Sequence, residues 1–391
     1  MKALLVCFDR TISLQVLYGL AAAPAEVHVI GTPGTECLGR SLHCSSYTPH
    51  AAADPDRAAA SWTRDLSALI ATKEIDVVLA ADGPAARLLA RVGADLPARV
   101  MPLPAPAELE RFANKWDFHT LCTTLGVAVP KAIFAEGKRA LDPWRLGRRL
   151  GYPLVVKPVD QSNSAGVVVA RSREELRRRV LDNPAYQYRG LIAQEFVPGI
   201  DIDCSVLASG GELLLAAVQR RQGHAVQFIE CERLVAACRR LVELSGYHGV
   251  AHFDARLNPA TGEVMLIECN PRFWGSIEAA RQCGMNFVAA AIEVALGRRI
   301  ERRLSLGGAY LSPPALAATV AAGRLSSPGL TRASLRGLAQ ALADPLPFLA
   351  IELYAWQRRR QKRMRLQAQQ DGPAARGYSR IAYGARLSLS R

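Results

Sequence analysis

The densest chemistry in the chain lies in HFDARLNPATGEVMLIECNPRFWGS, residues 252–276. Period-two alternation puts Glu268 and Asn270 on one face of a strand. The turn-forming NPATG folds that strand back beside the one carrying Asp254, which the hairpin returns to about their level. Two carboxylates and an amide oxygen form a hard oxygen site. It suits Mg²⁺, with Mn²⁺ as the alternative and phosphate oxygens completing the shell. Without a cation, two neighbouring buried carboxylates would be costly. Arg272, just beyond, is placed to hold a phosphate or a developing oxyanion. Cys269 alternates to the opposite face and reads as core packing.

Two further segments suit the same task of holding a nucleoside triphosphate. VVKPVDQSNSAGVVV carries Lys157 at the end of an apolar strand, then a turn of small residues, Ser162, Asn163, Ser164, Ala165 and Gly166, before Val167. Small residues let backbone N–H groups close over phosphates, and a lysine supplies a point charge. Lys115, in NKW, is a second candidate cation. Taken singly, the lysine reads equally as a solvated strand end and the loop as a flexible hairpin. In AQEFVPGIDIDCSV, a strand carrying Glu195 breaks at Pro198–Gly199 and resumes with Asp201 and Asp203. A kinked strand of this kind offers an acceptor, a backbone edge and a carboxylate, the groups that an adenine and a ribose need. An ordinary surface strand pair is the alternative.

The elements that must position these residues fall into three stretches. Residues 1–105 alternate β-branched runs (KALLVC, EVHVI, DVVLA) with helical patterns, which predicts a parallel α/β domain. The first strand-to-helix turn, CFDRTISLQ, has no GxGxxG, so a dinucleotide site is unsupported there. MPLPAPAEL (101–109) reads as a linker. Residues 110–300 give mostly antiparallel strands with helices between them, an α+β pattern. Residues 301–391 are the least readable.

In order and separation, LVVKPVDQSNSAGV, AQEFVPGIDIDCSV and LIECNPRFWGS resemble the ATP-grasp superfamily over about residues 1–300. The nearest subgroup is similar to the carbamoyl-phosphate synthase large chain, biotin carboxylase and amino-acid ligases. The resemblance implies an N-terminal pre-ATP-grasp α/β domain (1–110) and an ATP-grasp domain (111–300), with a lid over about 115–195 and a large subdomain over about 196–300. It implies ATP and Mg²⁺ as cofactors. By position, Lys115 and Lys157 would contact phosphates, and Ser164, Ala165, Gly166 and Val167 would cover them. Glu195, Phe196 and Val197 would read adenine, and Asp201, with Asp203 as the alternative, would take the ribose. Asp254, Glu268 and Asn270 would hold the metal, and Arg272 and Lys157 would act on the transferred phosphate. The implied activity is ligation of a small carboxylate to an amine, or a thiol, through an acyl phosphate with release of ADP and phosphate. The chain departs from the usual pattern at three points: one glycine in the lid loop, Asp201 in place of a longer glutamate, and Asp254 at the first metal position. It shows neither a biotin-carrier segment nor a second ATP-grasp copy.

Composition bounds the rest. The chain has 391 residues, half of them apolar, enough for two to three domains with substantial cores. Nine scattered cysteines without a CxxC pair point to a reducing compartment, and a cytoplasmic protein is expected. No apolar run reaches membrane-spanning length. The net charge is +14, but Thr331–Arg391 holds 12 Lys/Arg against three acids, so the body is only mildly basic and no nucleic-acid groove is expected. PLPFLAIELYAW runs into RRRQKRMR, where six of eight residues are basic. This basic C-terminal extension (301–391) gives a rival reading, a membrane-surface or polyanion-binding protein, compatible with the first. A third reading is a fold that binds ATP without turnover. His224 and Arg256 are candidates to face an acceptor substrate.

Overall fold

The computed structural model describes residues 1–23, 26–162 and 164–370. The expected role of Asn163 in the phosphate loop, and the part of the basic extension beyond residue 370, lie outside them.

The N-terminal stretch folds as β1 (Lys2–Cys7), α1 (Arg10–Ala21), β2 (Glu26–Gly31), β3 (Ser46–Pro49), α2 (Ala59–Lys73), β4 (Val77–Ala80), α3 (Gly83–Val92) and β5 (Arg99–Val100). Its five strands are parallel, in the order β3-β2-β1-β4-β5. Near-continuous apolar runs such as Ala3–Cys7 are buried on both faces, as helix-covered parallel strands require. Asp9 caps α1, accepting from the N–H groups of Thr11 and Ile12, and Asp82 caps α3 through the N–H of Ala85.

The Pro-rich segment is only partly a linker. Pro106 opens a helix, α4 (Pro106–Ala113), which leads into α5 (Lys115–Thr124), capped by Asn114. Phe112, Phe118, Leu121 and Cys122 pack with Phe253 and Tyr247 in one core. Residues 115–124 therefore belong to the large sheet's core rather than to the lid where the sequence placed them.

The smaller body comprises β6 (Ala132–Gly137), α6 (Pro143–Leu150), β7 (Leu154–Pro158), β8 (Val168–Ala170), α7 (Arg173–Leu176) and β9 (Arg189–Glu195). Its four strands run β6-β9-β7-β8 around a core of their own. The larger sheet has six strands in the order β14-β13-β10-β11-β12-β15. These are β10 (Ile200–Ser209), β11 (Glu212–Gln222), β12 (Ala225–Phe228), β13 (Gly249–Leu257), β14 (Val264–Asn270) and β15 (Ala309–Tyr310), with α8 (Glu232–Ser245), α9 (Ile277–Gln282) and α10 (Phe287–Ala295) between them. Strand alternation sends Ile202, Cys204, Val206, Phe253 and Cys269 into the core under α5 and α8. The opposite face carries polar residues at one end, whereas Leu207, Leu215 and Val250 join the core of the N-terminal sheet.

The last stretch is more structured than its sequence suggested. α11 (Pro313–Ala321), α12 (Arg332–Ala343) and α13 (Pro345–Gln370) follow β15. Asp344, buried at the α12–α13 corner, accepts from Ser41 Oγ at 2.5 Å and from the Leu42 N–H at 3.0 Å. The Arg10 guanidinium lies 4.0 Å from the Tyr354 ring centre, and Ile351 enters the N-terminal core. The C-terminal helices are thus fastened to the N-terminal domain. No described helix is long and apolar enough to cross a membrane. Asp344→Ala strands a buried hydroxyl and a backbone N–H, and should lower stability by about 1–3 kcal/mol. A urea-unfolding midpoint identical to that of the parent would show that this contact does not hold the helices.

Candidate active site

The polar end of the six-stranded sheet is built by register. Asp203 on β10 lies opposite Asp254 on β13, and Asp254 lies opposite Glu268 on β14, so three carboxylates stand side by side on adjacent strands. A bulge between Asp254 and Ala255 adjusts the pairing. Asn270 is opposite His252. Ligand atoms of Asp203, His252 and Asp254 all lie within 4.8 Å of one another. His252 receives or donates a hydrogen bond at Nδ1 with Ser205 Oγ (2.9 Å) and stacks on Trp274. Burial, reinforced by Arg272, lowers its pKa to about 3, so the ring is neutral.

Two buried lysines descend on this row. Lys157 Nζ lies 3.5 Å and Lys115 Nζ 3.7 Å from Glu268 Oε2. Lys115 also donates to the Gln161 carbonyl. Burial holds the Lys157 pKa below the usual lysine value, against the pull of Glu268. Burial also works to raise that of Glu268, but Lys157 and Lys115 outweigh it and hold the carboxyl below its usual range. Asp254 shows the reverse: burial, then the charges of Glu268 and Asp203, push it well up. Asp203 is raised by burial, partly offset by the amide of Gln219 at 3.2 Å. Carboxylates that resist ionisation together are the donors a hard divalent cation relieves. The oxygen-rich set Asp203, Asp254, Glu268 and Asn270 therefore fits Mg²⁺.

Arg272 donates from Nη2 to Asn270 Oδ1 (3.1 Å) and from Nη1 to the Phe273 carbonyl (2.8 Å). It borders a cleft of about 380 Å³ between the two larger bodies. Lys115, Asp160, Gln161, Ser162 and Asn270 line the same cleft, together with Asp9, Asp82 and Arg87 of the N-terminal domain. Asp82 accepts from the N–H groups of Phe8 and Asp9, both at 2.7 Å, and fixes the turn that faces Arg272. Burial outweighs these bonds and raises its pKa to about 6.

Other expected residues stand differently. Asp201 is exposed and paired with Arg256 at 3.1 Å; Asp203, two residues on along the same strand face, stands in the carboxylate row, and both border an open pocket with Arg220 and Arg221. Cross-strand register also aligns Asp203, the expected alternative to Asp201 at a ribose, with Asp254. Glu195 accepts from the Lys131 N–H at 2.9 Å, and the Phe196 ring centre lies 5.2 Å from the Arg256 guanidinium. Glu195, Phe196 and Val197, at the junction of the two antiparallel sheets, do not line the cleft. Nor do Ser164, Ala165, Gly166 and Val167, although Ser164 and Gly166 adopt positive φ (58° and 72°), a compact turn that Tyr186 secures by donating to the Gly166 carbonyl. His224 borders a separate cavity of about 230 Å³, enclosed by α1, α9, α12 and α13. Arg256 is occupied by Asp201 and the Gly199 carbonyl.

The pairing of a four-stranded with a six-stranded antiparallel sheet agrees with the comparisons. The family profile described as "ATP-grasp in the biosynthetic pathway with Ter operon" matches residues 187–307, and "D-ala D-ala ligase C-terminus" matches residues 121–233. The chain has the ATP-grasp fold. It is 23% identical over 248 residues to the carbamoyl phosphate synthase large chain of Thermus thermophilus, covering 59% of this chain and 24% of that one. It is 23% identical over 168 residues to the D-alanine–D-alanine ligase of Coprothermobacter proteolyticus, covering 37% of this chain and 55% of the relative. The chain thus spans only about a quarter to a half of these relatives. The biotin carboxylase domain of Hydrogenobacter thermophilus 2-oxoglutarate carboxylase, solved with MgADP and bicarbonate, superposes with a TM-score of 0.59 at 16% identity, covering 78% of this chain and 73% of that one.

His252, Asp82 and the metal-row position of Asp203 were not singled out by sequence. Period-two spacing could have placed Asp203 and His252 on the site face; nothing local marked Asp82 beyond its helix-capping position. Asp82→Ala removes the α3 cap and the acceptor for two further N–H groups, so it should cost about 2–4 kcal/mol. Calorimetry showing a loss below the range of a single cap would contradict the role given to this carboxylate.

Proposed function

We propose that this ATP-grasp protein is an ADP-forming ligase that activates a small carboxylate as an acyl phosphate and transfers it to an amine. The observation that carries this reading is Glu268, held by Lys157 and Lys115 and flanked by Asp254 on the next strand. Asp254, Glu268 and Asn270, joined by Asp203, would hold Mg²⁺, which would supply charge neutralisation on the phosphates. Lys157 and Lys115 hold the phosphate oxygens as point charges, already desolvated and therefore strong. Arg272 orients the attacking carboxylate and balances the charge that develops on the acyl phosphate.

The cleft beside Arg272 mixes Arg272, Lys115 and Arg87 with Asp9 and Asp160, which suits a carboxylate and an amine together. The turn at Phe8–Asp9, set by Asp82, would position the amine. Glu195, Phe196 and Val197 would bind adenine, with Asp201 at the ribose, and Ser164, Ala165, Gly166 and Val167 would form the loop that covers the phosphates. In this reading residues 1–110 form the pre-ATP-grasp domain and 111–300 the catalytic domain.

The test is ADP and phosphate release from ATP and Mg²⁺ with pooled small acids and amines. Substrate-stimulated ADP release should fall at least about a hundredfold in Glu268→Ala. Release of AMP would overturn the acyl-phosphate route, and unchanged turnover in Glu268→Ala would remove the assigned metal role. Asp203→Asn separates metal from ribose. It should raise the Mg²⁺ needed for half-maximal rate by about tenfold, with little change in the KM for ATP. The opposite pattern would return Asp203 to the ribose.

A further inference from the structure

The helix α13 has two apolar faces, and among the described residues only one is covered. Phe348 and Ile351 turn toward α1 and the cavity beside it, and Ile351 is buried in the N-terminal core. Leu346, Leu349, Leu353 and Trp356 lie on the other side, each between 52 and 59% exposed. Their spacing of three, four and three residues places them on one narrow stripe of the helix. Met364 continues the stripe by the same periodicity and is 49% exposed. Before the Asp344 corner, α12 adds Leu335 and Leu342, seven residues apart and 60 and 70% exposed. Singly exposed leucines need no explanation, but an aligned series ending in a tryptophan does.

The charge beside the stripe identifies what covers it. The helix passes from Trp356 through Gln357 into RRRQKRMR, with six basic residues in eight. Arg358, Arg359 and Arg360 are exposed. The Arg360 guanidinium lies 5.4 Å from the Trp356 ring centre, so charge and indole lie together. Leucines and a tryptophan along one face, running into a dense cationic segment, match the chemistry of an anionic bilayer surface: acyl chains accept the stripe and headgroups accept the arginines. A second copy of the chain fits less well. Symmetric pairing on this stripe would bring two basic segments together, and so few half-exposed side chains offer a few hundred Å² at most, below the roughly 800 Å² per partner of a stable interface.

We infer that α13, with the adjoining end of α12, docks the protein on a membrane surface rich in anionic lipid, lying in the interface without crossing it. Because α13 also lines the cavity beside α1, the docked face and that cavity share one helix.

The experiment is co-sedimentation of the full chain with vesicles of phosphatidylcholine alone or mixed with phosphatidylglycerol, at low and high salt. Binding should appear with the anionic lipid and weaken with salt. Leu349→Glu with Leu353→Glu, and separately Arg358→Glu with Arg360→Glu, should each weaken it by about tenfold or more. Both pairs should keep the parent's thermal unfolding midpoint and its ADP-forming rate, because none of these residues lies in the cleft. Failure to bind anionic vesicles, equal binding to neutral vesicles, or unchanged binding in both pairs overturns the inference. So does a dimer, seen by light scattering without lipid, that Leu349→Glu with Leu353→Glu dissolves.

Discussion

A carboxylate held between two buried ammonium groups sets the terms for the rest of the molecule. Glu268 is kept ionised by Lys157 and Lys115 while its neighbour Asp254 is pushed toward the neutral form. Such a cluster survives burial only if each charge is answered close at hand. The chain meets that demand from separate elements: Lys157 from the end of β7, Lys115 from the first turn of α5, and Glu268 and Asp254 from paired strands of the larger sheet. The smaller sheet, the helix after the Pro-rich segment and the hairpin must therefore meet at one point.

The same sheet separates chemistry from packing by strand alternation alone. Residues 202, 204 and 206 enter a core with Phe253 and Cys269, while 201, 203 and 205 on the same strand lie on the opposite, polar face with His252 and Asp254. A one-residue slip in register would exchange the two faces. The buried cysteines reflect this division: burial pushes the thiols of Cys238 and Cys269 well up, which makes them poor nucleophiles.

What could be read in advance follows from how local each signal is. The hairpin around NPATG carries its own register, so Asp254, Glu268 and Asn270 could be brought together on paper, as could the exclusion of Cys269. The parallel N-terminal sheet was equally legible in its apolar runs. Asp203 was not legible as a neighbour of Asp254, because β10 and β13 are distant in sequence and only their pairing sets those residues opposite each other. Asp82 faces Arg272 across a domain boundary that no periodicity reports. The docking of residues 309–356 was hidden for a related reason: its decisive contacts, Asp344 with Ser41 and Leu42, join residues about three hundred positions apart.

That last fastening bears on how the chain acquires its structure. One core collects Leu4 and Val78 from the start of the chain, Phe273 and Phe287 from its third quarter and Ile351 from near its end. Closing contacts over such separations is entropically slow compared with the local pairing that builds the four-stranded sheet. On a ribosome, the first parallel strands emerge long before their last covering helix exists. The N-terminal sheet therefore keeps part of its apolar surface uncovered until the residues up to Ile351 are made, while the smaller sheet, whose buried core among the described residues runs from Ala135 to Ala193, can complete itself soon after leaving the exit tunnel.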